Sequence, residues 1–291
     1  MSVPENKLVE NTWKETARAK VNLTLHVGSV QDNGYHPLHS LVVFADIGDV
    51  LEAQPAEKFT LKLKGPFSHD TPDGAENLII EAASIVAKHN HVDVKLAYLL
   101  EKNLPVASGL GGGSADAAAG LRILSSTNHV NWSSQAESFL PFGADVPVCY
   151  LSRTCIMEGI GEEILPLPGL GQIPAILVNP GVRVSTKDVF EKFDCMGASS
   201  AHELSAGSLL HMAKSGRNDL QAIAVVMQPV IQTVLDEIER QDGCQLGRMS
   251  GSGATCFGLF TSQASAKRAA ETMRKTHPDW WCVPTMLGDE L

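Results

Sequence analysis

Four glycines fall within five positions in Gly109-Leu110-Gly111-Gly112-Gly113, and Ser114 follows them. Without Cβ atoms, backbone of this kind can adopt positive φ and come close to a bound anion. Ala115 to Leu124 then read as an Ala-rich helix. The first turn of such a helix carries N–H groups with no partner and the positive end of its dipole, which together suit a phosphate. Ser114 adds a hydroxyl that could reach a phosphate or a metal ion. The small residues Ala115, Ala117, Ala118, Ala119 and Gly120 let the helix pack tightly and hold the loop rigid. The string is not a Walker A loop, because no Gly-Lys-Ser/Thr follows. Nor is it the dinucleotide fingerprint, because Ser114 stands where the third glycine would be. The plain alternative is a flexible turn at a close helix–strand contact.

A second glycine loop, Met249-Ser250-Gly251-Ser252-Gly253-Ala254, is either a hairpin turn or a backbone wall beside a phosphate chain. Lys20 lies among apolar strand residues, where a lone lysine is usually an edge or surface group. Asp145, in Phe142-Gly143-Ala144-Asp145-Val146-Pro147, could be a helix N-cap. The six cysteines form no C-x-x-C and fit no zinc spacing, so they read as buried, reduced apolar residues. His89 and His91 read as a solvated pair, with no third ligand to make a metal site.

These residues need a frame to hold them. Alternation from Thr16 to Val27 predicts a strand, DNGYHP a turn, and SLVVFADIGDVLEAQ and KFTLKLKG two more strands. ENLIIEAASIVAKHN predicts a helix capped by Asn77, and VDVKLAYLLEKNLP a strand ended by Pro105. After the glycine loop come a helix, a break and a short helix over SSQAESFLPFGADVPVCYLS, then strands in TCIMEGIGEEILPL and IPAILVNPG. The second half is richer in helix, with a break near Pro229, two strands flanking the second glycine loop, and a closing helix and strand. Strands and helices alternate without strict βαβ order, so the fold class is α+β. The length of 291 residues suits about two domains, which we draw as 13–160 and 161–291. Residues 1–12 read as a loose tail.

A formal charge of −10 argues against binding to nucleic acid or to a membrane surface. It leaves room for a small phosphorylated ligand held by backbone N–H groups. No apolar run reaches the length of a membrane span, and the N-terminus lacks the apolar stretch of a signal peptide, so a cytoplasmic location is expected.

Ala19-Lys20-Val21-Asn22-Leu23, the loop from Pro105 to Ala119, and Gly251-Ser252-Gly253-Ala254 occur in that order. With them the chain resembles the GHMP kinases, which phosphorylate small molecules. Gly34-Tyr35-His36, Phe142 to Pro147 and Asn179-Pro180-Gly181 bring it nearest to the branch of the non-mevalonate isoprenoid precursor pathway. The resemblance implies an N-terminal ATP-binding domain like domain 2 of ribosomal protein S5 and a C-terminal substrate domain with a ferredoxin-like core, with the site between them. It implies ATP-dependent phosphorylation of the 2-hydroxyl of 4-diphosphocytidyl-2-C-methyl-D-erythritol, with Mg²⁺. Asp145 would be the catalytic base and Lys20 its partner. Pro105, Val106, Ala107, Ser108, Gly109, Leu110, Gly111, Gly112, Gly113 and Ser114 would cradle ATP. Ser114 is the candidate metal ligand, and Asn77 and Lys102 would line the nucleotide pocket. Tyr35 and Phe190 would sandwich the cytosine, His36 would hydrogen-bond it, and Asn22 would lie by the erythritol chain. Ala115-Asp116 departs from the family's usual residues after that serine. It leaves open whether Asp116 helps hold Mg²⁺, caps the helix or points away. The oligomeric state is not legible.

Overall fold

The computed structural model describes residues 12–290 apart from 33, 130 and 197–205. The tail expected at 1–12 lies outside them except for Thr12, and the side chain of Cys195 lies outside them too. The strands are β1 (Trp13–Asn22), β2 (His26–Val27), β3 (Leu38–Ala56), β4 (Thr60–Lys64), β5 (Lys95–Glu101), β6 (Cys155–Gly159), β7 (Glu163–Pro166), β8 (Gln172–Asn179), β9 (Cys244–Met249), β10 (Cys256–Phe260) and β11 (Trp281–Gly288). The helices are α1 (Leu78–His89), α2 (Gly112–Thr127), α3 (Val146–Leu151), α4 (Thr186–Met196), α5 (Leu209–Ser215), α6 (Gln221–Met227), α7 (Val230–Glu239) and α8 (Gln263–Thr276). A run of 3₁₀ turns over Ser133–Phe142 precedes α3.

The strands join in the order β4-β5-β3-β11-β8-β10-β9, and β1, β2 and β6 also pair with the long β3. All the pairs are antiparallel except β4 with β5. Three apolar clusters follow from this layout. Ile79, Ala118 and Leu121 from α1 and α2 close over Phe44, Leu51, Leu96 and Leu100. Val234, Ile238, Ala270 and Met273 from α7 and α8 close over Ile176, Val178 and Cys256. Between them, Ala19, Val21, Leu23, Leu41 and Val43 bury against Ala175, Leu177, Phe257 and Leu259. The last cluster belongs to both halves of the chain, so neither half has a complete core alone. The hairpin partner of β6 is β7, which carries the sheet of the first half to Pro166.

The β1–β3 register slips between Arg18 and Lys20. Bulges of this kind bend a strand and re-aim side chains. The carbonyls of Phe44 and Ala45 opposite the slip accept from the Arg18 guanidinium at 3.1 and 2.8 Å. The same guanidinium donates to Gly288 O on β11 at 3.1 Å. The Lys20 N–H leaves the ladder and donates to Leu110 O, 2.9 Å away in the glycine loop. The strand irregularity thus docks the loop against Lys20.

Candidate active site

The bulge turns Lys20 inward, and its ammonium meets the Asp145 carboxylate at 2.9 Å to either oxygen. The Lys20 side chain is 5% exposed and that of Asp145 30%, so the ion pair is sunk but open on the aspartate side. Asp145 occupies the N-cap position of α3, yet its side chain makes no capping bond. The carboxylate faces the lysine instead.

Gly111 packs against this pair. It has φ 63° and ψ 23° and sits at the N-cap of α2. A Cβ there would lie 3.3 Å from Lys20 Cε and 3.4 Å from Asp145 Oδ2. The left-handed backbone favours glycine here, and a Cβ would also crowd the lysine. Ala115 N–H is the first on this helix to be taken up, by Gly111 O at 2.8 Å. The N–H groups of Gly112, Gly113 and Ser114 therefore stand ahead of the helix's first bond, following the Gly111 that packs on Lys20 and Asp145. A helix N-terminus of this kind is suited to an anion.

The second glycine loop forms a wall behind the first. Ser250 Oγ donates to Gly109 O at 3.0 Å, and Thr255 N–H donates to Ser108 O at 3.0 Å. A Cβ on Gly109 would meet Ser250 O at 2.4 Å. Asn218 Nδ2 braces this wall by donating to Met249 O and Gly251 O, both at 2.8 Å. Asn22 joins it, since its N–H donates to Ser250 Oγ at 3.1 Å. Its Nδ2 donates to Ser40 Oγ at 2.8 Å, and its buried Oδ1 has no partner.

Beneath α2 lies a buried charge cluster. Lys102 Nζ donates to Asp49 Oδ2 at 2.5 Å and to Asp116 Oδ2 at 2.6 Å. Lys102, expected to line the nucleotide pocket, has its ammonium under the glycine loop, where it meets the Asp49 and Asp116 carboxyl groups. Asp116, for which three readings stood open, makes this contact through Oδ2, and its buried Oδ1 has no partner. Burial pushes the Asp116 carboxyl up to about 8, with Lys102 pulling the other way and Asp49 adding to the rise. For Lys102, burial acts downward, but Asp116 and Asp49 outweigh it and raise its pKa. Asp49 drew no notice in the sequence. Its signal was an acid inside a strand-forming run, FADIGDVLEAQ, where a carboxylate needs a partner.

Asn77 caps α1, accepting from Ile79 N–H at 3.0 Å and donating to Pro72 O at 2.8 Å. Away from the loop, His36 and Phe190 come together with ring centres 5.1 Å apart. His36 Nδ1 lies 2.9 Å from Gly28 O and its Nε2 lies 3.2 Å from Asp194. Tyr35 is 58% exposed. Phe190 is thus packed on His36, with the turn that carries Tyr35 beside it. Among the described residues no cluster of His, Cys, Asp and Glu could hold a metal ion. The described cysteines are free thiols, buried except for the half-buried Cys244.

A glycine loop leading into a helix N-terminus, with an Asp–Lys pair packed against it on a sheet shared by two cores, defines a class. Residues 77–153 match the GHMP kinases N terminal domain and residues 200–279 the GHMP kinases C terminal. The chain belongs to the GHMP kinases and is a small-molecule kinase with their two-domain α+β fold. A homoserine kinase from Cytophaga hutchinsonii shares the fold, with a TM-score of 0.69 at 18% identity, covering 98% of this chain and 97% of its own. Relatives named 4-diphosphocytidyl-2-C-methyl-D-erythritol kinase lie much nearer. The one from Roseobacter denitrificans is 43% identical, covering 100% of this chain and 97% of its own. The one from Dinoroseobacter shibae is 45% identical over 93% of each. A crystal structure of 4-(cytidine 5'-diphospho)-2C-methyl-D-erythritol kinase is 31% identical, with a TM-score of 0.76, covering 95% of this chain and all (100%) of its own. Within the GHMP kinases, the chain belongs with these kinases.

Proposed function

We propose that the chain transfers the γ-phosphoryl group of ATP to the 2-hydroxyl of 4-diphosphocytidyl-2-C-methyl-D-erythritol, a step of the non-mevalonate route to isoprenoid precursors. The names of relatives such as those from Roseobacter denitrificans and Dinoroseobacter shibae support the acceptor. The observation that carries the chemistry is the Lys20–Asp145 ion pair pressed against Gly111 at the head of α2.

Phosphoryl transfer depends on alignment and charge stabilisation more than on covalent help from the protein. The N–H groups of Gly112, Gly113 and Ser114 hold phosphate oxygens, and the dipole of α2 adds to their pull. The acceptor's 2-hydroxyl oxygen bonds to the γ-phosphorus as the bond from that phosphorus to ADP breaks, and the hydroxyl proton passes to Asp145. Lys20 orients that carboxylate and faces the charge on the moving group. On the acceptor side, Asn22 stands by the erythritol chain, and the His36–Phe190 pair with Tyr35 receives the cytosine. Because both ring nitrogens of His36 have partners within the chain, a bond from this ring to the base requires one of them to give way.

The donor set fits Mg²⁺ through the half-buried Ser114 hydroxyl, a hard oxygen of the kind that ion takes along with phosphates. Asp116 gives Oδ2 to Lys102 in the interior and is not counted among those donors. When bound, Mg²⁺ supplies neutralising charge to the phosphate oxygens. The bacterial relatives support a cytoplasmic location, where ATP is at hand.

The test is Asp145→Asn, which keeps size and removes basicity. We expect kcat to fall by about 10²–10⁴-fold with both KM values little changed. A folded variant with wild-type kcat would remove Asp145 from the chemistry.

A further inference from the structure

Asp49 lies at the bottom of the ATP-binding half, on β3, with its side chain wholly buried (0% exposed). Every atom of its carboxylate is committed. Oδ1 accepts from two successive backbone N–H groups, Asn103 at 2.5 Å and Leu104 at 2.8 Å. These residues immediately precede the loop that begins at Pro105. Oδ2 accepts from Lys102 Nζ. The same ammonium reaches Asp116 Oδ2 on α2, and a Cβ on Gly112 would sit 3.2 Å from it. One buried carboxylate therefore grips the chain where it enters the loop. Through one lysine it also grips the helix where the chain leaves the loop.

The arrangement is costly for stability alone. Three ionisable groups are taken out of water, and apolar residues of like volume often serve a core as well or better. What apolar packing cannot supply is a fixed distance between the two ends of a glycine loop. The loop's own residues contribute little of that, since glycines carry no side chains with which to pack.

We propose that Asp49 is a positioning residue for ATP, fixing both ends of the glycine loop through the Asn103 and Leu104 N–H groups and the Lys102–Asp116 relay. This rests on the reading of the loop as the phosphate cradle. Asp49 touches no reacting atom; its effect is on where the N–H groups of Gly112, Gly113 and Ser114 stand.

The experiment is calorimetric titration with a non-hydrolysable ATP analogue and, separately, with 4-diphosphocytidyl-2-C-methyl-D-erythritol. The proteins are wild type, Asp49→Asn and the double variant Asp49→Asn/Lys102→Met. The double variant removes the Asp49–Lys102 charge pair together, a change that buried pairs tolerate better than loss of one partner. Asp116, whose carboxyl burial already pushes up to about 8, can take a proton once Lys102 is gone, so this variant keeps a folded protein in the comparison should the single variant not fold. Its folding is checked by circular dichroism and thermal melting. We expect analogue affinity to fall about 10–100-fold in each folded variant, the scale of a small misplacement of binding groups, with acceptor affinity unchanged. The split between the two ligands, persisting in a double variant that melts no lower than wild type, is what a merely structural role would not produce. Wild-type analogue affinity in either folded variant overturns the proposal, as does an equal loss for both ligands. Failure of the wild-type protein to bind the analogue would instead overturn the reading of the loop as the ATP site.

Discussion

The Lys20 ammonium and the Asp145 carboxylate come together from positions 125 residues apart in the chain, and each is shaped by the other's element. The bulge in β1 and β3 aims the lysine, and the short helix α3 begins at the aspartate. Their spacing of 2.9 Å makes them act as a unit, so their effects on rate should not multiply. We expect Lys20→Met and Asp145→Asn each to lower kcat, and the double variant to lose much less than the product of the two losses. A double-mutant cycle on kcat, with circular dichroism of each variant, measures this; strictly multiplicative losses would place Lys20 on the phosphates alone. Read as isolated residues, a strand lysine and an aspartate before Val-Pro suggested an edge group and a helix cap. The functional pairing came from resemblance, because contact across 125 positions leaves no local trace. Asp49 went unnoticed for the same reason. Its partners are a lysine and two backbone N–H groups contributed more than 50 residues later.

Helix α2 is the element on which the loop depends, and its character was plain in the sequence. Ala115, Ala117, Ala118, Ala119 and Gly120 are all buried, and the small side chains let α1 and β3 approach. A Cβ on Gly120 would fall 3.0 Å from Ile79 Cγ2 and 3.7 Å from Leu51 Cδ2. Gly120→Val must therefore push α1 outward. We expect it to lower stability by about 1–3 kcal/mol, the usual cost of overpacking, and to weaken ATP binding as the helix shifts. Urea denaturation measures the first effect and titration with an ATP analogue the second; unchanged stability would mean that the α1–α2 contact yields without cost. Most other elements were legible for equally local reasons. Alternating burial marks β5, Asn77 caps α1, and Pro229 separates α6 from α7. The bulge at Arg18–Lys20 was not legible, since it arises from the pairing of two strands and not from either alone.

At the scale of the whole molecule, the two halves are stitched together beside the site. Arg248 on β9 donates to Leu23 O at 2.6 Å, Ala213 O at 2.8 Å and Gly216 O at 2.7 Å. The first of these lies just past β1 and the other two lie in and after α5. Together with the shared apolar cluster, this predicts one cooperative unfolding transition for the wild type. Arg248→Met leaves these carbonyls without their donor, at about 1–3 kcal/mol for each buried group left unsatisfied. We expect a lower melting temperature, read by differential scanning calorimetry. An unchanged melting temperature would show that the two halves hold together without this contact. The α+β class was legible from the order of strands and helices, but the topology was not. β11 closes on β3 through Leu287 and Ala45, a pairing between the ends of the chain that only the fold reveals.

The central claim is that this chain phosphorylates one particular alcohol, and product analysis tests it most directly. The protein is incubated with ATP and, in turn, 4-diphosphocytidyl-2-C-methyl-D-erythritol, mevalonate and homoserine, with ADP release followed and the product examined by phosphorus NMR. The account predicts rapid turnover with the first acceptor alone and a new phosphomonoester on its 2-hydroxyl. A kcat/KM for mevalonate or homoserine equal to or above that for the cytidine-linked acceptor, or phosphate on a different hydroxyl, would contradict it.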